Sequence, residues 1–166
     1  MAKYTLTDIL AELIYLHEQL NELAIKKVET VKKNEIMALN EIIKQETSLI
    51  KKLTKAEQSR MDVVQEFRRA KELVIEDVTM ELIIEHSPVE EQPKLTEQFQ
   101  ILLNEMIRLK EMNELNKMLI EDSLRFVNLS LDLLSPDMTD MNYERPTNKE
   151  DELSAPRGRS IFDSRA

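Results

Sequence analysis

The side chains that could act as catalysts or metal ligands are few in this sequence of 166 residues. It has two histidines, His17 and His86, no cysteine and a single glycine, Gly158. Di-iron helix bundles place a glutamate three residues before a ligand histidine, and Ile14 and Ile83 occupy those positions here. No glycine-rich phosphate loop and no nucleophile motif is present. We therefore predict a protein that is not an enzyme and has no catalytic residue, metal or cofactor, with His17 on a helix surface.

Two asparagines, Asn113 and Asn116, interrupt an otherwise apolar helical pattern and are candidates for recognition chemistry. A side-chain amide has both hydrogen-bond donors and an acceptor oxygen, so it can bind another side chain or a backbone group. One interpretation is that the pair fixes the register of packed helices at some cost in stability. The other is that both amides bind a partner helix, and the sequence leaves both interpretations open.

These asparagines lie in the stretch from Leu95 to Leu134, which is predicted to form one helix of about 40 residues, roughly 60 Å long. Beyond them the apolar residues form two stripes along the helix. The first stripe consists of Ile120, Leu124, Val127, Leu131 and Leu134, and the second stripe of Leu115, Leu119, Phe126, Leu129 and Leu133. A surface helix needs one apolar face, so two faces predict either deeper burial or a partner outside the chain.

We assign the first stripe to the core and the second to a partner helix, because a three-helix arrangement covers one face of the long helix. Burying a large apolar side chain stabilises by about 1.5–3 kcal/mol, and five such side chains left in water would be an aggregation hazard. On this interpretation Leu124→Asp should unfold the protein. Phe126→Asp should remove partner binding and leave the fold intact.

Composition favours an all-helical fold. The first 87 residues contain neither glycine nor proline, and the chain has 4 % aromatic and 33 % charged residues, a balance typical of coiled-coil-like proteins. The net charge of −9 disfavours binding to nucleic acid and to anionic membranes, since both require a basic surface. The absence of cysteine, of a signal peptide and of any apolar run of about 18 residues predicts a cytosolic protein without membrane insertion.

The first helix has a clear predicted start. Thr5 and Asp8 have capping-box spacing ahead of a helix over about residues 8–33. Asn34 is a candidate N-cap for a second helix, although an unbroken helix is equally open because no glycine or proline stands there. The apolar stripe of the first helix consists of Ile9, Leu13, Leu16, Leu20 and Leu23.

The second helix is predicted from a heptad-like register over residues 39–74. Thr79 is expected to cap a short helix over residues 80–86. Pro88 and Pro93 are then expected to break the chain before the long third helix begins.

The composition changes after the long helix. Three of the five prolines and the only glycine fall in residues 135–166, and so polar a segment cannot bury enough surface to offset its ordering entropy. We therefore divide the chain into a helical domain, residues 1–134, and a disordered tail. The domain is predicted to be all-α, with three main helices in an antiparallel, coiled-coil-like arrangement. In the tail, Ile161 and Phe162 form an apolar pair, and Tyr143 is an isolated aromatic of the kind that often anchors docking.

The run from Met112 to Pro136 resembles the C-terminal helix of the FlgN-type flagellar export chaperones. The family pattern is Asn-x-x-Asn, then paired aliphatic residues, then a long apolar helix that closes in Leu-x-Pro. The spacing from Pro136 to Tyr143 and the tail residues 162–166 are also similar to family members, whereas Glu144 stands where the family often has glycine. The matching residues of the helix are Asn113, Asn116, Leu119, Ile120, Leu133, Leu134 and Pro136.

The resemblance implies a cytosolic chaperone that binds the C-terminal helices of flagellar hook-associated proteins and prevents their premature assembly. It also implies delivery of these clients to the type III export gate, where Tyr143 helps to dock the loaded chaperone. We expect a monomer or a weak homodimer. Two other classes stay open, namely a structural homodimeric coiled coil and a small regulatory adaptor of an enzyme. The expected client-binding residues are Asn113, Leu115, Asn116, Leu119, Phe126, Leu129 and Leu133.

Overall fold

A computed structural model describes residues 4–74 and 78–134 of the chain. Within these residues all regular structure is helical, which confirms the all-α class and the three long helices. The predicted disordered tail, residues 135–166, lies outside the described residues. The helices are α1 (Leu6–Lys32), α2 (Ile36–Ala70), the short α3 (Met80–Glu85) and α4 (Gln92–Leu134).

The predicted capping box forms at the start of α1. The backbone N–H of Thr5 donates to Asp8 Oδ2 at 3.0 Å, and the backbone N–H of Asp8 donates to Thr5 Oγ1 at 3.3 Å. These bonds satisfy two backbone donors that the helix itself leaves free. The hydrogen bonds from the Thr5 side chain and backbone lower the pKa of the Asp8 carboxyl, because they favour its charged form.

The turn between α1 and α2 depends on a residue in the left-handed region. Asn34 has φ 57°, and the backbone N–H groups of Asn34 and Glu35 donate to the carbonyls of Val31 and Thr30 at 3.2 and 3.1 Å. Asparagine tolerates this conformation better than most residues, so the chain turns without glycine. The two helices are therefore separate. The predicted N-cap role of Asn34 is wrong, since Glu35 precedes α2 and makes no side-chain cap bond.

Most of the core comes from α1. The Leu10 side chain is fully buried, and Ala56 of α2 packs with Leu95 and Leu102 of α4 in the same cluster. The burial of the predicted α1 stripe is confirmed, since none of its members is more than 6 % exposed: Ile9, Leu13, Leu16, Leu20 and Leu23.

The three long helices alternate in direction. Joined by the short turn at residues 33–35, α1 and α2 pack as an antiparallel hairpin. Between α1 and α4, the side chain of Gln98 donates to the carbonyl of Thr7 and that of Asn116 to the carbonyl of Ala24. Residue numbers increase together along both helices, so α1 and α4 run in the same direction. The predicted antiparallel packing therefore holds for consecutive long helices, that is, for α1 with α2 and for α2 with α4.

The connection between α2 and α4 contains the predicted short helix. The backbone N–H of Leu82 donates to Thr79 Oγ1 at 3.3 Å, which confirms Thr79 as the N-cap of α3. Pro88 lies between α3 and α4, whereas Pro93 lies in the first turn of α4. The predicted break at Pro93 is therefore wrong, because first-turn residues need no backbone N–H for the helix.

The chain divides into two units, Met1–Ser123 and Leu124–Ala166. The described part of the second unit is the segment of α4 over residues 124–134. Since the residues after 134 are not described, the domain boundary drawn from the sequence stays a prediction. Among the described helices, none has the length and apolar character needed to span a lipid bilayer.

Candidate functional site

The two histidines are bound to their own helices. His17 Nδ1 lies 2.8 Å from the carbonyl O of Leu13, and His86 Nδ1 lies 2.8 Å from that of Leu82. The expectation that His17 lies on the surface is wrong, since its side chain is only 8 % exposed. The hydrogen bond to Leu13 gives the buried Nδ1 of His17 a partner within its own helix. Within residues 4–74 and 78–134, no three histidine or carboxylate side chains lie together in a way that could hold a metal ion.

Three side-chain amides form polar contacts between α1 and α4. Asn21 Nδ2 donates to the backbone O and to Oε2 of Glu105 at 3.0 and 2.7 Å. Asn116 Nδ2 donates to the carbonyl O of Ala24 at 3.0 Å. Gln98 Nε2 makes the third contact, also at 3.0 Å, near the start of both helices. We term Asn21, Gln98 and Asn116 the amide seam.

In each side chain of the amide seam the nitrogen is hydrogen-bonded and the oxygen is not. The amide oxygens of its three members are buried and have no hydrogen-bond partner among the described residues. Each unpaired buried acceptor costs about 1–3 kcal/mol, so the seam sets the register of α4 against α1 with little net stabilisation. Asn21 was not predicted from the sequence. The signal for it is its spacing, four residues after His17 and three before Ala24, which places it on the buried face of α1.

A cleft of about 560 Å³ opens between α1, α2 and α4 beside the amide seam. We term it the three-helix cleft. Its polar lining includes the ion pair of Lys27 Nζ and Glu46 Oε2, which are 3.1 Å apart. Lys117, Glu121 and Asn113 also line it. The apolar lining consists of Leu20, Ile50, Leu53, Leu109 and Ile120.

The structure separates the two asparagines that the sequence pattern had paired. Asn116 is 2 % exposed and lies in the amide seam, which supports the register interpretation for this residue. Asn113 is exposed and lines the three-helix cleft. Its contact with a partner helix stays a prediction, whereas a direct contact of Asn116 would require α4 to move away from α1.

We expect Asn116→Leu to stabilise the protein. The substitution removes the unpaired buried oxygen and adds apolar surface, and the adjoining three-helix cleft leaves room for the branched side chain. The free energy of unfolding should rise by about 1–3 kcal/mol, measured by urea denaturation. The control, Asn113→Leu at an exposed position, should change it by less than about 0.5 kcal/mol. A less stable Asn116→Leu variant would contradict the unsatisfied state of this amide.

The residues of the second stripe are accessible. In the first unit, Leu115 is 41 % exposed and Leu119 is half-buried. In the second unit, Phe126, Leu129 and Leu133 are 71, 59 and 75 % exposed. Accessibility is a condition for partner binding, and the binding itself stays a prediction.

The first stripe is not core in segment 124–134. Leu124, Val127, Leu131 and Leu134 are 51 to 80 % exposed, so the expectation that this part of the stripe is internal is wrong. Leu124→Asp is therefore no longer expected to unfold the protein. The physical reason is that periodicity identifies an apolar face, while burial needs a second element to cover it. The described part of the second unit is this helical segment alone.

Two nearly opposite faces of segment 124–134 are thus apolar and exposed. At about 100° per residue, the centres of the two stripes in this segment lie roughly 150° apart around the helix axis. One helix can cover only one of these two faces, so the stripes are separate exposed surfaces.

Comparison with known proteins gives two matches. Residues 1–151 match the family described as FlgN protein. The chain is also similar to the uncharacterized protein YvyG of Bacillus subtilis strain 168, with 28 % identity over 166 residues that span the whole of both chains. No solved structure matches the chain. The family match includes all four helices and extends beyond Tyr143.

Proposed function

Because this chain belongs to the FlgN family of flagellar chaperones, we propose that it is a cytosolic export chaperone for flagellar hook-associated proteins. It binds the C-terminal helices of these clients, prevents their premature assembly and delivers them to the type III export apparatus. The family match and the resemblance of residues 112–136 to the family's C-terminal helix support this assignment.

The observation that carries the proposal is the exposed second stripe of α4. Phe126, Leu129 and Leu133 recur at intervals of three and four residues, the spacing at which two amphipathic helices pack side by side. Burying each large side chain contributes about 1.5–3 kcal/mol before the cost of association is subtracted. Asn113 adds an accessible amide that can bind polar groups of the client. A client helix is therefore the partner whose geometry fits this surface.

The proposal is tested with the purified full-length chain and a peptide of the C-terminal helix of a hook-associated protein. Isothermal titration should show saturable binding with a negative heat-capacity change, because apolar surface is buried. A control peptide with serine at its apolar positions should not bind. Failure of every hook-associated helix to bind would contradict the proposed function.

Sedimentation of the client-free protein separates the chaperone from a structural coiled coil. A chaperone with a free second stripe should sediment as a monomer or a weak homodimer. A tight homodimer that buries residues 115–133 would leave no surface for a client, and the structural alternative would then be preferred.

Tyr143, which lies outside the described residues, is proposed to dock the loaded chaperone at the export gate. Tyr143→Ala should leave client binding unchanged and weaken gate binding by about 2 kcal/mol, the effect of removing an aromatic anchor. The measurement is binding of the chaperone–client complex to the purified cytosolic part of the gate. Tyr143→Phe, which keeps the ring, is the control. Equal gate binding by Tyr143→Ala and the unmodified chain would refute this role.

A further inference from the structure

The second helix, α2, has a narrow apolar stripe on its exposed side. Ile36, Ile43 and Ile50 recur every seven residues and are 69, 43 and 51 % exposed. Seven residues turn a helix by about 700°, only about 20° short of two full turns. The three side chains therefore lie within about 40° of one another around the helix axis. We term these three residues the isoleucine stripe.

Two threonines lie along the same line of the helix and have their hydroxyls already bonded. Thr47 Oγ1 donates to the carbonyl O of Ile43 at 2.8 Å, and Thr54 Oγ1 donates to that of Ile50 at 2.9 Å. A partner can therefore cover both threonines without depriving their hydroxyl donors of a hydrogen bond. The surface from Ile36 to Thr54 is about 27 Å long.

The width and spacing of the isoleucine stripe fit a single partner helix. A helix that packs on a broad core has apolar residues over at least about 100° of its circumference. A narrower stripe with a seven-residue spacing is the seam of a coiled coil, in which one helix packs along another. Attachment to a lipid surface needs attraction to anionic headgroups, which a chain with a net charge of −9 opposes. The geometry therefore favours a protein helix over a membrane.

The charge beside the isoleucine stripe is positive, although the chain as a whole is acidic. Residues 42–56 contain four lysines and one glutamate. That glutamate, Glu46, is 3.1 Å from Lys27 of α1, so its charge is compensated. Lys44 and Lys51 each follow an isoleucine of the stripe by one residue and lie along one edge of it. Neither lysine is in an ion pair with another described residue, so both are available to carboxylates of a partner.

We propose that the isoleucine stripe binds an amphipathic helix of another protein, one whose aliphatic seam is flanked by glutamate or aspartate. Its aliphatic side chains pack on the isoleucines, and its carboxylates pair with Lys44 and Lys51. A second copy of α2 fits less well, because it brings four lysines of its own to the same surface. The inference goes beyond the proposed function, since this surface is on α2 and the client is proposed to bind α4.

The test uses two synthetic helical peptides, each three heptads long, with isoleucine and leucine in the seam. The acidic peptide has glutamate at the positions that flank the seam, and the basic peptide has lysine there; like charges keep each peptide from pairing with itself. In fluorescence anisotropy the full-length chain should bind the acidic peptide and not the basic one. Binding should weaken as the salt concentration rises. Equal binding of the two peptides would overturn the proposal.

Charge reversal tests the role of the two lysines. The double variant Lys44→Glu, Lys51→Glu should prefer the basic peptide and bind the acidic one at least about 10-fold more weakly. The control is Lys94→Glu, Lys110→Glu, which makes the same change in net charge at two exposed positions of α4 and should keep the original preference. A preference for the acidic peptide that survives reversal of Lys44 and Lys51 would overturn the proposal.

A matched pair of aspartate variants tests the apolar contact. Ile43→Asp should weaken binding of the acidic peptide by at least about 100-fold, because the new carboxylate would be desolvated against the aliphatic seam. Ile25→Asp is the control, since Ile25 lies on α1 and is 42 % exposed, against 43 % for Ile43; its binding should be unchanged. Circular dichroism checks that both variants stay helical. Undiminished peptide binding by a helical Ile43→Asp variant would overturn the assignment to this stripe.

Two further measurements test the other possible occupants of the stripe. Sedimentation of the peptide-free chain and flotation with phosphatidylglycerol vesicles should give the same result for Ile43→Asp and the unmodified chain. Self-association that Ile43→Asp removes would overturn the proposal in favour of a second copy. Vesicle binding that Ile43→Asp removes would overturn it in favour of a lipid surface.

Discussion

Phe126→Asp is expected to abolish client binding and to leave the helical fold intact. Phe126 is 71 % exposed, so a carboxylate at this position stays in water in the free protein. Against the apolar face of a client the same carboxylate would be desolvated and unpaired, which is strongly unfavourable. We expect affinity to fall by at least about 100-fold, measured by calorimetry, with unchanged helicity in circular dichroism.

Leu124→Asp is the matched control for this substitution. Leu124 lies in the same helical segment, is 58 % exposed and belongs to the first stripe, on the nearly opposite face. This variant should keep both its fold and its affinity for the client. If both aspartate variants weaken binding equally, the client does not select the second stripe. If either variant loses helicity, these faces contribute to the fold.

Leu10→Ala is expected to lower the free energy of unfolding by about 2–5 kcal/mol. The Leu10 side chain is fully buried and packs in the main core cluster with Leu13 of α1 and Leu95 of α4. Truncation leaves a cavity that such a cluster cannot close completely. Since domains of this size are stable by only about 5–15 kcal/mol, the shift should be large in urea denaturation followed by far-ultraviolet circular dichroism.

Leu133→Ala makes the same chemical change at a position that is 75 % exposed. The free energy of unfolding should change by less than about 0.5 kcal/mol. Client binding should nevertheless weaken, because Leu133 belongs to the second stripe. A destabilisation as large as that of Leu10→Ala would show that segment 124–134 forms part of a core.

The helices and several of their ends could be predicted because the signals are local. The capping box of Thr5 and Asp8 and the N-cap Thr79 involve residues three positions apart, so the sequence contains the whole interaction. The buried α1 stripe was predictable for a related reason. A long helix with one apolar stripe has a single face to bury, and α1 does so.

The errors concern features that depend on backbone context. Asn34 has the residue type of an N-cap, yet the same short amide side chain also tolerates the left-handed conformation that ends α1. Pro93 disrupts a helix interior but is accepted in a first turn, so its effect depends on where α4 begins.

The candidate site was predictable only in part, because partners are not visible in a periodic pattern. The second stripe is accessible as expected, but the first stripe has the same pattern and is equally exposed in segment 124–134. Asn113 and Asn116 are equivalent in type, and only the packing of α1 against α4 separates them. The partner of Asn21 is Glu105, 84 residues away, a pairing to which no local signal points.

The amide seam also bears on the order in which the helices assemble and open. Its contacts join residues 84 to 92 positions apart, while α1 and α2 meet through a short turn. Bringing α4 against α1 closes a long loop, and the entropy cost of this closure precedes any contact. The contacts of the amide seam offset little of that cost, because the amide oxygens have no partner among the described residues. We therefore expect the α1–α2 hairpin to form first, as a cooperative unit. Residues 92–123 of α4 should lose hydrogen-exchange protection before that hairpin does, through openings in which α1 and α2 stay paired.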